Sequence, residues 1–192
     1  MSDRENDVVK PPGVEGIWVF IIGDLIIFLL YFLVFAMGRI NNTELFELGR
    51  QQLEPLLAFI NTLILLSSSY FVVLAVEGCR KKDAKAVKRF LILAIILGTA
   101  FVVIKLVGYS IDLTHFSLRS NVFFAYYFAI TGIHCAHVII GTILLGVCLF
   151  KSFKNLKKKY LRFLESCALF WHMVDLLWVI IFPMFYLMGG IA

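Results

Sequence analysis

A chain of 192 residues that is 61% hydrophobic and only 16% charged does not have the polar surface of a soluble domain, which carries about 25% charged residues. Its net charge of +5 is not a nucleic-acid signature, because most of the lysines and arginines cluster in two short loops, where they act as topology signals. The composition excludes a soluble enzyme or nucleic-acid module and points to an integral membrane protein with little mass outside the bilayer.

Residues 1–16 form a polar tail of mixed charge, closed by the stiff break Pro11-Pro12-Gly13. Interleaved acidic residues, an over-long apolar run and the lack of a small-residue cleavage site make it a poor signal peptide, so it is expected to be retained. Residues 17–192 then read as one transmembrane domain. Five apolar runs are each long enough to cross a bilayer as a helix: Ile17 to Met37, Pro55 to Val76, Phe90 to Ile111, Val122 to Phe150 and Leu161 to Met188. The fold class is therefore an all-α membrane protein, a five-helix transmembrane bundle. The fourth run exceeds the ~30 Å hydrocarbon core at ~1.5 Å per residue, so it should tilt or project. Pro183 is expected to kink the last turns of the fifth. The 39–54 loop is expected to hold a short helix at the membrane surface.

With five spans, the tail and the loops at 77–89 and 151–160 share one side. Taken with Arg162, that side holds 14 of the 18 lysines and arginines. Arg39, Arg50 and Arg119 lie opposite, and Lys105 lies within a span. The bias predicts a cytoplasmic N-terminus and an outer C-terminus. The four cysteines, Cys79, Cys135, Cys148 and Cys167, have no CxxC spacing and read as small apolar fillers.

Ionisable groups inside spans are costly and are kept where they pair or line a wet cavity. Six stand out: Asp24, Lys105, His134, His137, His172 and Asp175. Asp24 reads equally as a proton or lipid-headgroup carboxylate and as a structural partner of a neighbouring helix. His134 and His137 are three residues apart, as are His172 and Asp175, so each pair shares a helix face. The four together could ligate a metal or haem. The reading favoured here is hydrogen bonding between helices, at an interface opened by Gly132, Ala136 and Gly141. Asn61, Thr62 and Ser67-Ser68-Ser69 read as interhelical hydrogen-bonding groups. Lys105 and Tyr109 are one turn apart, and the lysine has Asp24, Glu165 and Asp175 as carboxylate partners to choose from. Trp171 and Trp178, seven apart, lie one above the other on a face beside His172. Beyond these, the sequence has no phosphate loop, nucleophile elbow or HExxH motif.

Three segments, in order, resemble the subunit III family of haem–copper respiratory oxidases. Asn61-Thr62-Leu63-Ile64-Leu65-Leu66-Ser67-Ser68 is similar to the family's second-span signature in its five-helix members. Thr131-Gly132-Ile133-His134-Cys135-Ala136-His137-Val138-Ile139-Ile140-Gly141 resembles TGFHGLHVIIG, and Trp171-His172-Met173-Val174-Asp175-Leu176-Leu177-Trp178 resembles WHFVDVVW. The entry Gly16-Ile17-Trp18-Val19-Phe20-Ile21-Ile22-Gly23-Asp24 looks closest to the branch associated with nitric oxide reductases. The resemblance implies a five-helix bacterial subunit in the inner (plasma) membrane with no haem or copper of its own. It implies a partner, the catalytic subunit I of an oxidase or nitric oxide reductase, which carries haem and copper. It also implies bound phospholipid, support of proton uptake and protection of the catalytic centre. Asp24 falls where many members have a glutamate near the lipid cleft. One departure is plain: Lys105 and Gly108 stand where the family's third helix often has a glutamine and a glutamate. Two readings from other classes remain, a stand-alone metal- or haem-binding membrane protein using His134, His137, His172 and Asp175, and a proton-coupled transporter built on Asp24 and Lys105.

Overall fold

The computed structural model describes residue 13 and residues 15–115, 122–153 and 157–188; most of the polar tail lies outside these. Six α-helices follow in order: α1 (Glu15–Asn41), α2 (Thr43–Arg50), α3 (Pro55–Arg80), α4 (Ala84–His115), α5 (Val122–Ser152) and α6 (Lys158–Phe182). Among the described residues there are no strands, and five stretches are long and apolar enough to span a membrane: Gly16–Asn41, Pro55–Arg80, Ala84–Ser110, Val122–Ser152 and Lys158–Leu187. The five-span expectation is met, with every spanning stretch longer than the apolar run that announced it.

The helix ends follow local chemistry. Pro55 opens α3 at a position where its missing N–H would have had no partner. The α3–α4 hairpin turns on Lys82, whose φ of 59° is left-handed. There the Asp83 N–H donates to Gly78 O (2.9 Å) and the Lys82 N–H to Cys79 O (3.0 Å), the double bond that commonly closes a helix. The Asp83 carboxylate then accepts from the N–H groups of Lys85 and Ala86, both at 3.0 Å, and starts α4. That cap explains why α4 begins at Ala84 and not at Phe90. At the other end, Pro183 does not simply bend α6. It opens a π-helical turn, Pro183–Leu187, closed by the Met188 N–H on Pro183 O at 2.9 Å. The wider turn accommodates a ring that would clash with the preceding carbonyls.

Helices α3, α4, α5 and α6 pack on one another, while α1 rests on α5 and α6 with most of its apolar surface outward. The expected surface helix exists as α2. Its Phe46 is buried among Phe35, Phe123 and Tyr126, with ring centroids 5.3, 5.7 and 5.9 Å away, while Leu45 and Leu48 face outward. Glu47 of α2 accepts from Arg50 and Gln51, and these bonds lower its pKa from 4.5 to about 2. A depressed carboxylate pKa adds stability that is present above the unfolded value and is lost as pH falls through the folded one. Glu47→Gln is therefore expected to remove a small contribution, about 0.3–1 kcal/mol for an exposed pair, between roughly pH 4.5 and 2. Thermal unfolding in detergent at pH 7 and pH 3 checks this: the difference between variant and parent should shrink at the lower pH.

Candidate intramembrane polar site

The polar residues within the spans fall into three clusters between helices. The first joins α1 to α5. His137 Nδ1 lies 2.8 Å from Ile133 O, one turn back on its own helix, and Nε2 lies 3.2 Å from Asp24 Oδ1. A carbonyl only accepts, so Nδ1 carries a proton. Phe28 stands edge-on to the imidazole and Phe170 lies along it. Asp24 Oδ2 is buried and has no hydrogen-bond partner among the described residues.

The second cluster joins α3 to α6. Ser69 Oγ is hydrogen-bonded to His172 Nδ1, and Asp175 Oδ2 stands 3.6 Å from the same nitrogen. That distance is too long for a hydrogen bond but close enough for charge to be felt. The His172 side chain is 37% exposed and that of Asp175 10%, so the imidazole sits at the outer edge and the carboxylate inside. Toward the basic loops the same two helices are joined by Arg80 and Glu165, at 2.9 Å.

The third cluster surrounds Lys105 on α4. Its ammonium donates to the hydroxyls of Tyr127 (2.9 Å) and Tyr186 (3.2 Å), which are themselves 2.8 Å apart. It also lies 4.6 Å from the centroid of the Tyr127 ring and 5.1 Å from that of Trp178, a setting in which aromatic faces stabilise a cation. The carboxylates expected as its partners are engaged elsewhere: Asp24 with His137, Glu165 with Arg80, and Asp175 beside His172. Tyr109 turns its ring to the lysine, with the centroid 5.0 Å from the ammonium, and donates its hydroxyl to Thr131 Oγ1 at 2.6 Å, tying α4 to α5.

Between the clusters lies a packed aromatic centre. Fully buried His134 donates Nε2–H to Val174 O of α6 (3.0 Å), with Phe101 and Trp178 rings beside it. Trp178 Nε1 donates to Thr62 Oγ1 (2.9 Å). Asn61 Nδ2 donates to Phe101 O (3.3 Å) and Ser68 Oγ to Ala94 O (2.9 Å), both joining α3 to α4. Asn61, Thr62, Ser68 and Ser69 thus bond between helices as expected, but Ser67 does not: exposed on α3, it donates to Leu63 O of its own helix. Trp171 does not stack with Trp178. Its ring is wedged between Gly98 of α4 and Gly141 of α5, where a Cβ on either glycine would come within 2.7 Å of it.

His134, His137, His172 and Asp175 do not form one ligand set. Three residues advance an α-helix by ~300°, so i,i+3 side chains diverge by ~60°; His134 turns to α6 and His137 to α1. No group of three or more His, Cys, Asp or Glu is arranged to hold a metal among the described residues. The four cysteines are free and buried. Sequence reasoning missed Tyr127, Tyr186 and Gly98. The tyrosines sit in aromatic stretches that read as core, and Gly98 carries no local mark of the ring it accommodates.

The family model for cytochrome c oxidase subunit III matches residues 4–190. Subunit 3 of the cytochrome bo(3) ubiquinol oxidase of Buchnera aphidicola subsp. Schizaphis graminum is 30% identical over 184 residues, covering 92% of this chain and 94% of that protein. The cytochrome c oxidase subunit 3 of Alkalihalophilus pseudofirmus is 31% identical, covering 91% of this chain and 85% of that protein. That of Podospora anserina is 32% identical and covers 91% of this chain, but 67% of its own length is matched. A family match over nearly the whole length, on a five-span helical chain carrying these motifs, means that the chain belongs to the cytochrome c oxidase subunit III family.

Proposed function

We propose that this chain serves as the non-catalytic third subunit of a haem–copper oxidase in a bacterial plasma membrane, with its N-terminal tail and two basic loops in the cytoplasm. Haem and copper reside on the partner catalytic subunit in this reading. The observation that carries it is the family match over residues 4–190. The site geometry supports a structural role, because its hydrogen bonds run from helix to helix: Asp24–His137, Ser69–His172, His134–Val174 and Tyr109–Thr131. An oxidase is preferred over a nitric oxide reductase as the parent complex, since the relatives above are subunits of quinol and cytochrome c oxidases. The chain's work is to brace the catalytic subunit, hold lipid beside it and support proton uptake. The buried contact between Asp24 and His137 is the feature of this chain best suited to that last task.

The test is oxidase turnover with and without the chain. A complex stripped of it is expected to start at a comparable rate and then lose activity over successive turnovers, with recovery when the chain is added back. Equal decay of the two preparations would contradict the proposed support role.

A further inference from the structure

Toward the membrane face opposite the basic loops, a small hollow of about 70 Å³ lies between α3, α4 and α6. Leu57 of α3 and Ile104 of α4 give it apolar walls, while Asn61 and Lys105 make its inner end polar. Asn61 lies six residues beyond Pro55, the first residue of α3, or ~9 Å along the helix. It is buried, and its Nδ2 is committed to Phe101 O. Its Oδ1 is buried too, with no hydrogen-bond partner among the described residues. Lys105, held by the hydroxyls of Tyr127 and Tyr186, is likewise buried. At the rim stands Glu54, exposed at the start of α3. Gly108 also lines the hollow, one turn beyond Ile104 on the same face of α4. A Cβ added there would meet nothing within 4 Å, so the missing side chain keeps this space open.

We propose that this hollow is a water site, an inlet through which water from the face opposite the basic loops reaches Asn61 and Lys105. At ~30 Å³ per molecule it has room for about two waters. Size excludes larger occupants. A volume of 70 Å³ is less than a quarter of the ~300 Å³ at which ligand pockets begin. Charge excludes a free anion, which the Asn61 amide oxygen and the Glu54 carboxylate would both repel. Cavities that stay dry are apolar, whereas this one has a buried acceptor that is costly to leave without a donor. A water that donates to Asn61 Oδ1 turns its oxygen, the negative end of its dipole, toward the ammonium, so one molecule serves both groups. A second water connects it to the rim, where the Glu54 carboxylate accepts. The consequence is a lysine that stays charged within a span and is solvated from one side of the membrane only.

The experiment is hydroxyl-radical labelling with a short X-ray pulse, read residue by residue by mass spectrometry on the chain purified with its associated subunits. The radicals form from water, so a buried ring is labelled where a water lies beside it. Trp178 lines the hollow and is 1% exposed. Trp171, equally buried between Gly98 and Gly141, is the internal reference. Trp178 is expected to be labelled several-fold faster in the parent chain than in Gly108→Leu, whose side chain fills the hollow, while Trp171 is labelled equally in the two. Asn61→Leu, which removes the acceptor and leaves Gly108 in place, should slow Trp178 labelling as well. Brief mixing into heavy-oxygen water before the pulse should put heavy oxygen on Trp178, because the inlet exchanges with bulk solvent. Equal Trp178 labelling in the parent chain and both variants would overturn the water site, and so would a detergent molecule in the hollow, which gives that same result. Label at Trp178 that never carries heavy oxygen would overturn the inlet, since the water would then be sealed in.

Discussion

Gly141→Val is expected to lower the unfolding temperature of the detergent-solubilised protein by about 5–10 °C, the consequence of over-packing by about 1–3 kcal/mol. The reason is the Trp171 ring. A Cβ at position 141 would stand 2.7 Å from its Cε3 and 2.9 Å from its Cζ3, and valine adds two methyl groups to that Cβ. The ring has little room to retreat, because Gly98 of α4 stands so close on its other side that a Cβ there would also lie 2.7 Å from the indole. Trp171 is 1% exposed, so any movement must push α4 and α5 apart. In a membrane, where lipid tails are as apolar as the helix faces, packing of this kind is a main source of helix association. The double variant Gly141→Val with Trp171→Phe removes the atoms that clash and is expected to recover at least half of the loss. Recovery of none of it, measured by thermal unfolding, would show that the indole is not what makes this glycine necessary.

The second large effect is expected at Asp24. Asp24→Leu should destabilise the protein by about 1–2 kcal/mol, because it leaves the Nε2 side of a half-buried imidazole without a partner inside the membrane. Asp24→Asn should cost only about 0.6 kcal/mol, the average for a polar contact between membrane helices. The distinction comes from the proton at Nδ1. With Nδ1–H committed to Ile133 O, the neutral imidazole offers a bare Nε2, and an asparagine amide can donate to it. Since α1 rests on the bundle along few contacts, its seating should be the first thing to loosen. Asp175→Leu is expected to reduce complex yield more than Asp24→Asn does. Asp175 is buried beside His172, and leucine can neither match that charge nor donate in its place. Equal yields of assembled complex for Asp175→Leu and Asp24→Asn would remove the basis for this ranking.

Much of the architecture could be read from the sequence because a bilayer imposes simple requirements. An apolar run of some 20 residues has to be a helix, since every backbone group must find its partner within it. The short helix Thr43–Arg50 followed from a loop with mixed polarity. Helix ends were less legible: Asp83 starts α4 early by capping, and Pro183 is absorbed by a π-helical turn. The polar residues were recognisable as a set, because each is expensive in hydrocarbon. Their partners were not. Asp24 and His137 are 113 positions apart, and Ser69 and His172 are 103 apart. Nothing within either helix announces the other. Lys105 was the hardest to place, because two of its hydrogen-bond partners are phenols. Tyr127 and Tyr186 count as core in any hydrophobic pattern, yet their hydroxyls receive the lysine's hydrogen bonds. The wedge of Trp171 between Gly98 and Gly141 was hidden for a related reason: a glycine in a span marks close approach but does not say to what.

The most direct test of the central claim is a mild-detergent purification of the tagged chain from native membranes, with mass spectrometry and an optical spectrum taken on one eluate. A subunit III is expected to bring with it a haem-containing catalytic subunit of the oxidase type in near-equal amount, with the haem bands of that partner in the spectrum. An eluate holding this chain alone and free of colour, under conditions in which the host's oxidase stays intact, would contradict the accessory-subunit reading. Haem bound to the isolated chain would move the function to the histidines of α5 and α6.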